Sequence, residues 1–404
     1  MAAKKLSPLV LDGNIVKLRI EAEREFSGNR VHIDWVRFTA QLRNAPIPPV
    51  DVLFPRSDVN IWDVQDRNAR LVRILRDVPD SDWSPAAQAF ELAEQTAAAL
   101  GPEFSVDLEV KKGMDFYKSR WSITLSGVEV GWVGFLASSD SPRKKAQAKT
   151  VHASLYGAAC TFAQNGWNMA LADLVDASKA KLTRADLALD FFDGIEGGID
   201  SVRSDYRDGL CNVGGRKLKF SMVGDWENEH DRSVYIGSRE SGKCTNIYEK
   251  GDQLYGHQTG SDWIRFELRY GNKLRVLSTD MLRRPDDFFA GASAWHNSVL
   301  LRAVESTKPE NVTVKPRLQI ETVQAECTRN VRWIQQTAAS SMAVAFAVMD
   351  TDKLFDLIGS AKLPGRLQKF NMGQIKSAMG RAVDLVLSSG AGVVGQRQPV
   401  ISWT

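Results

Sequence analysis

The sequence predicts an α+β fold: a mainly antiparallel central sheet with helices packed on one face, plus a helical C-terminal domain. Three observations lead there. Stretches of period-two alternation come in groups, and single helical stretches separate the groups. Neighbouring alternating stretches are joined by turns as short as Ser126-Gly127. Beyond about Arg302 the alternation stops and apolar residues fall at helical spacing instead.

Taken in order, Val31–Leu42 (VHIDWVRFTAQL) alternates and is rich in aromatic and β-branched residues, as a strand requires. A polar connection follows over Asn44–Asp82. Ser84-Pro85 then suits a helix start, with Ser as N-cap and Pro in the first helical position, and the helix runs to a stop at Gly101. Three strands come next within Glu103–Ala137, and a polar, basic loop over Ser138–Lys149. Thr150–Thr161 reads as a strand and Asn165–Lys179 as an amphipathic helix.

The stretch RADLALD, Arg184–Asp190, opens the second half of the sheet. A helix near Gly197–Asp208 precedes strands at Lys217–Val223, Ser233–Gly237, Thr245–Lys250 and Asp262–Tyr270. Pro309–Pro316 has linker composition, and Arg317–Met349 has helical spacing. The domains expected are an N-terminal extension over residues 1–30, a main domain over 31–305 and a helical domain over 306–404.

With 404 residues, 43% hydrophobic and 25% charged, the chain has the composition of a globular protein with a substantial core. A net charge of +3 permits a nucleic-acid partner without demanding one. Cys160, Cys211, Cys244 and Cys327 lie far apart with no CxxC pair, which argues against a zinc module or a disulfide framework. The N-terminus has no apolar signal core, and the longest apolar run, Ala338–Met349, is interrupted by Ser340 and Ser341 and is too short to span a membrane. A cytoplasmic protein without a membrane partner is expected.

Parity along the strands sorts side chains into faces. Arg184, Asp186, Ala188 and Asp190 share one; so do Arg265, Glu267 and Arg269; so do Asn246, Tyr248 and Lys250; and so do Tyr235, Gly237 and Arg239. Carboxylates, tyrosines and cations from four strands thus have one polar face in common. Such a face suits a hard cation together with phosphates. An antiparallel sheet with one solvated face has the same pattern. Asp186 and Asp190 stand roughly 13 Å apart on an extended strand, so both reach one ion only if the strand bends.

At these residues the chain resembles the Rep_trans family of rolling-circle replication initiators. The matching segments, in order, are IDWVRFT, LTRADLALDFFDG, GGRKLKFSMVGDW, SVYIGSRESGKCTNIYEKG, WIRFELR and DMLRRPDDFFAGA, spanning roughly Ile33 to Ala292. The resemblance implies a site-specific DNA endonuclease and strand transferase acting at a double-strand origin. A tyrosine attacks a phosphodiester there, leaving a 5′-phosphotyrosine and a 3′-hydroxyl that primes synthesis for a phage or plasmid. The segment IYEKG puts that tyrosine at Tyr248, with Tyr235 as its understudy.

Arg239, Lys243 and Lys250 are the cations expected at the phosphates, and Glu267 and Asp186, with Asp190 third, the ligands of Mg²⁺ or Mn²⁺. Glu249 adjoins Tyr248 but has the opposite parity. His32, His152, His230, His257 and His296 include no His-hydrophobe-His pair, so a histidine-held metal is not expected. Nor does a P-loop occur. The partners implied are origin DNA, the host helicase and replication machinery, and a second copy of the chain. Two other functions share these features: a non-catalytic origin- or operator-binding protein, and a relaxase of a conjugative element using the same chemistry.

Overall fold

A computed structural model describes residues 12–48, 83–139, 147–303, 319–359, 363–365 and 367–390. Most of the expected Asn44–Asp82 connection, the basic centre of the Ser138–Lys149 loop and the Pro309–Pro316 linker lie outside the described residues. The chain divides into two compact units, Met1–Lys315 and Pro316–Thr404.

In the first unit an eleven-stranded antiparallel sheet is built from β1 (Val31–Gln41), β2 (Phe104–Val106), β3 (Lys111–Lys112), β4 (Tyr117–Leu125), β5 (Val128–Ala137), β6 (Thr150–Leu155), β7 (Lys181–Phe191), β8 (Phe220–Asp225), β9 (His230–Ser238), β10 (Lys243–Glu249) and β11 (Ile264–Gly271). The order is β2-β4-β5-β6-β1-β7-β11-β10-β9-β8, with β3 on β4. The RADLALD strand, β7, is therefore central, bonded to β1 on one side and to β11 on the other.

One face is apolar. Ile33, Val36, Phe38, Leu187, Leu189, Ile247, Phe266 and Leu268 share a core with residues of α2 (Trp83–Leu100), α4 (Trp167–Ala177), α5 (Asp200–Arg207), α8 (Pro285–Ala290) and α9 (Ala294–Ala303). The helix α2 begins one residue before the expected Ser84 cap, so Ser84 and Pro85 both fall in its first turn, where a missing N–H costs nothing. Trp121 of β4 ties that helix to the sheet by donating from Nε1 to the carbonyl of Ala86 at 2.9 Å. Asp286 anchors the start of β1 by accepting from the backbone N–H groups of Arg30 (3.0 Å) and Val31 (2.7 Å).

One element differs in kind from its expectation. The strand predicted over Thr150–Thr161 ends at Leu155, and α3 (Gly157–Phe162) replaces its second half. The last paired residue of β6 is Leu155, opposite Gly131 and Val36. The Tyr156 N–H still bonds to the Val130 carbonyl at 2.9 Å, and beyond it Ala158 and Ala159, both strong helix formers, turn the chain into the helix. Three more helices are α1 (Gly13–Ser27), packed through Val16 and Ile20 on Trp263, α6 (Lys250–Tyr255), directly after β10, and α7 (Asp280–Arg283), ahead of α8.

The second unit is helical. Its core joins Val323 and Cys327 of α10 (Gln319–Trp333) to Ile375, Ala378 and Ala382 of α13 (Met372–Gly390), with Leu367 and Phe370 between. A π-helical turn, Ile334–Ala338, continues the first of these into α11 (Ala339–Val348), and α12 (Thr351–Gly359) follows.

Candidate active site

Strand register turns the polar face into rows. Ser233, Tyr248, Arg265 and Asp190 oppose one another across β9, β10, β11 and β7. Two residues along, the row is Tyr235, Asn246, Glu267 and Ala188; two further, it is Gly237, Cys244, Arg269 and Asp186, with Trp35 of β1 beyond. Residues two apart on a strand share a face. A cleft of about 420 Å³ opens over the first two rows, lined among others by Tyr248, Lys250, Arg265, Glu267 and Asp34, with walls from α1, α3 and α6.

Arg265 is the hub of the first row. Its guanidinium is 1% exposed and donates from Nε and Nη2 to Asp190 at 2.8 and 3.1 Å and from Nη1 to Asp34 Oδ1 at 2.7 Å. Trp263 Nε1 also donates to Asp190 Oδ1, at 2.6 Å. Burial pushes the Asp190 carboxyl up, but Arg265, His32 and Arg24 outweigh it and bring the pKa to about 2. Asp34 is likewise lowered, burial being overcome by Arg265 and then Lys250. Both acids are thus ionised, and the arginine between them is locked in place.

Asp34 reaches the cleft through a β-bulge, a device common beside active sites. The register of β1 against β7 slips between Ile33 and Trp35. Val31 and Ile33 therefore point to the core before the slip, and Val36, Phe38 and Ala40 after it. The signal was present in IDWVRFTA: apolar residues change parity across Asp34-Trp35, which an unbroken strand cannot satisfy. Gly157 supports the same bulge, since a Cβ there would stand 3.2 Å from the Asp34 carbonyl oxygen.

The other groups separate by place. Half-buried Tyr248 has its phenol raised well above the ordinary range, mainly by burial, with Asp34 and Glu267 adding to the shift and Arg265 opposing it. Lys250 stands with its Nζ 5.8 Å from the Tyr248 ring centroid, and burial lowers its pKa to about 8. Glu267 accepts from Arg269 Nε at 2.6 Å. Asn246, opposite Glu267, has a buried Oδ1 with no hydrogen-bond partner among the described residues. Tyr235 lines the same cleft.

Arg239 is not brought to Tyr248: it is exposed on a 3-10 turn, Arg239–Ser241, and lines a second cavity. Lys243 points away from this face and donates from Nζ to the Ala292 carbonyl at 2.6 Å. Glu249 pairs with Arg232 at 2.7 Å, as its parity requires.

Among the expected metal ligands, Asp186 and Asp190 have no oxygen to spare. Both oxygens of Asp190 accept from Arg265, and both oxygens of Asp186 accept from the Arg184 guanidinium. Neither side chain is exposed. Burial raises Asp186 to about 7 against the pull of Arg184, with Glu267 adding to the rise.

The fold brings together two histidines that are far apart in the sequence. His230 and His257 stack with ring centroids 4.3 Å apart, and with Asp231 they have possible ligand atoms within 4.8 Å of one another. The start of β9 and a 3-10 turn, His257–Thr259, meet there, a pairing that spacing along the chain does not reveal. None of the three lines the Tyr248 cleft.

Comparison with known proteins adds three findings. Residues 180–358, from β7 to α12, match the family described as replication initiation factor, Rep_trans. No curated protein matches the chain. A solved structure of a rolling circle replication initiator protein from Geobacillus stearothermophilus is similar at 17% identity and a TM-score of 0.38, over 70% of this chain and 89% of that one. The segment that supplies Asp190, Tyr248, Arg265 and Glu267 lies within the match to the replication initiation factor family.

Proposed function

We propose that this replication initiation factor nicks and rejoins one strand of origin DNA through Tyr248, priming rolling-circle replication of a phage or plasmid. The observation that carries the reading is the first row of the polar face: a tyrosine beside an arginine clamped by two carboxylates, with a lysine of lowered pKa over its ring.

The chemistry follows from those groups. Tyr248 Oη forms a bond to phosphorus as the bond from phosphorus to the 3′-oxygen breaks, so the 5′ side stays on the enzyme as a phosphotyrosine. With its pKa raised, the phenol arrives protonated and needs a base. Lys250 in its neutral form takes that proton and returns it to the departing 3′-oxygen, leaving the 3′-hydroxyl. Arg265 cannot swing away from its two carboxylates, so it holds the row beside Tyr248 in a fixed geometry for the attacking phenol. Rejoining is the reverse path.

A Mg²⁺ or Mn²⁺ ion fits this donor set. Glu267, the unpartnered Asn246 Oδ1 and Asp34 are hard oxygen donors lining the cleft, and Mg²⁺ is often bound by one or two carboxylates plus substrate phosphate. We assign the ligands to these residues in place of Asp186 and Asp190, whose oxygens are engaged. When bound, such an ion supplies positive charge to the non-bridging phosphate oxygens.

Two measurements test the reading. Wild-type protein incubated with a supercoiled plasmid bearing its element's origin and Mg²⁺ or Mn²⁺ is expected to give open circles and a covalent DNA adduct on Tyr248, both lost in Tyr248→Phe. Cleavage by that variant, or an adduct mapped to Tyr235, would sink the assignment; binding without any cleavage by wild type points to a non-catalytic origin binder. The nicking rate is expected to rise with pH through about 8 as Lys250 loses its proton, and Lys250→Arg to lose that rise.

A further inference from the structure

A second cavity, of about 480 Å³, opens on the same sheet face and shares Arg184 and Arg269 with the Tyr248 cleft. We propose that the two are one groove, and that the second cavity holds the single strand of DNA leading away from the phosphate at Tyr248. This rests on the strand-nicking reading above.

The register supports continuity. Beyond the row of Arg269 and Asp186, Arg37 opposes Arg184 and Arg184 opposes Gly271, while Gly271 donates to the Gly242 carbonyl at 3.0 Å. The path from Tyr248 to Cys244 alone covers about 13 Å of extended strand, enough to pass more than one phosphate. Its floor at the far end is glycine: Gly242 and Gly271 line the cavity, and a Cβ at Gly271 would meet nothing closer than Gly242 Cα at 3.9 Å. The backbone there has space for a side chain and carries none, which leaves the groove open.

Charge and polarity name the occupant. Arg37, Arg184, Arg239 and Arg269 line this cavity; Arg37 pairs with Asp115 at 2.8 Å, Arg184 with Asp186 and Arg269 with Glu267 at 2.6 Å. Arg239 makes no ion pair with a carboxylate among the described residues. Arg37 Nε and Thr183 Oγ1 are buried without hydrogen-bond partners among the described residues. Exposed Phe116 lines the cavity as well. An arginine-lined groove with an aromatic rim is the chemistry of single-strand binding. Because Tyr248 is recessed between α1, α3 and α6, a strand reaches it only when free of its complement.

The test is equilibrium binding of a fluorescein-labelled oligothymidylate by anisotropy, in a Tyr248→Phe background and over a range of KCl concentrations. The double variant Arg37→Ala, Arg239→Ala is expected to bind about ten-fold more weakly. Its salt dependence should drop by about 1.4 in log–log slope, about 0.7 for each phosphate that is no longer neutralised. Gly271→Leu, which fills the groove without changing charge, is expected to weaken binding to a similar degree, with thermal unfolding confirming that both variants fold.

Parent-like affinity and slope in the double variant would overturn the proposal, as would a parent that does not bind the oligonucleotide. Loss in the double variant with parent-like binding by Gly271→Leu also overturns it, since the charge would then act from outside the groove. Nicking by wild type with unchanged binding by the variants removes the groove alone. Variant losses in a protein that never cleaves origin DNA remove the nicking reading alone.

Discussion

The two ends of β7 present the same side chain in opposite electrostatic states. Asp190, beside Tyr248, is held near pKa 2, whereas Asp186, on the same face, is raised to about 7. Both are fully buried, so burial alone does not separate them. Asp190 is gripped through both oxygens by an arginine that is itself buried and shared with Asp34, and it has Trp263 as a further donor. Asp186 is held by Arg184, whose side chain is 29% exposed, and feels Glu267 as a like charge. A carboxylate inside a sheet thus keeps its charge only where its counter-charge is buried with it. The Asp190 end is a fully buried ionic frame for Tyr248, and the Asp186 end is held by Arg184 and Arg269, whose side chains are partly exposed.

The largest expected effect that would break this contrast is Asp190→Ala. Removing one partner of the buried pair leaves Arg265 partly uncompensated, and about 3–5 kcal/mol of stability is expected to go, measured by urea denaturation at neutral pH. A loss no larger than that of a surface substitution would mean that the frame is not ionic.

The pH dependence is next in size, and its sign differs between the two ends. Asp190 is lowered in the folded protein, so its contribution is present above about pH 4 and is lost as pH falls toward about 2. Asp186 is raised, so its contribution is complete below about pH 4 and is lost as pH rises toward about 7. Denaturation midpoints compared between Asp186→Asn and wild type across this upper range are expected to differ in slope, the variant losing less stability as pH rises. Parallel curves would refute the raised pKa.

Smallest is the cost of Asp186→Asn itself at neutral pH, expected within about 1 kcal/mol because the replaced group is only partly charged there. A loss comparable to that of Asp190→Ala would erase the distinction between the two ends.

Parity in the sequence made the rows legible, because period two along β7, β10 and β11 depends on local backbone geometry alone. It named Tyr248, Arg265, Glu267, Asp186 and Asp190 as face-mates before their neighbours were known. The parity break around Asp34 marks a bulge in the sequence, but only the pairing with β7 shows that it turns Asp34 into the cleft. Arg239 was grouped with Tyr248 by parity, yet it lies beyond the end of β9, where the chain leaves the strand for a 3-10 turn and parity no longer applies.

The amino-acid sequence by itself determined most of the strands and their polar and apolar faces, because alternation is a property of adjacent residues. Only the tertiary structure decided which acids are ionised, which oxygens are engaged, and that His230 meets His257, because each depends on atoms brought together from distant parts of the chain.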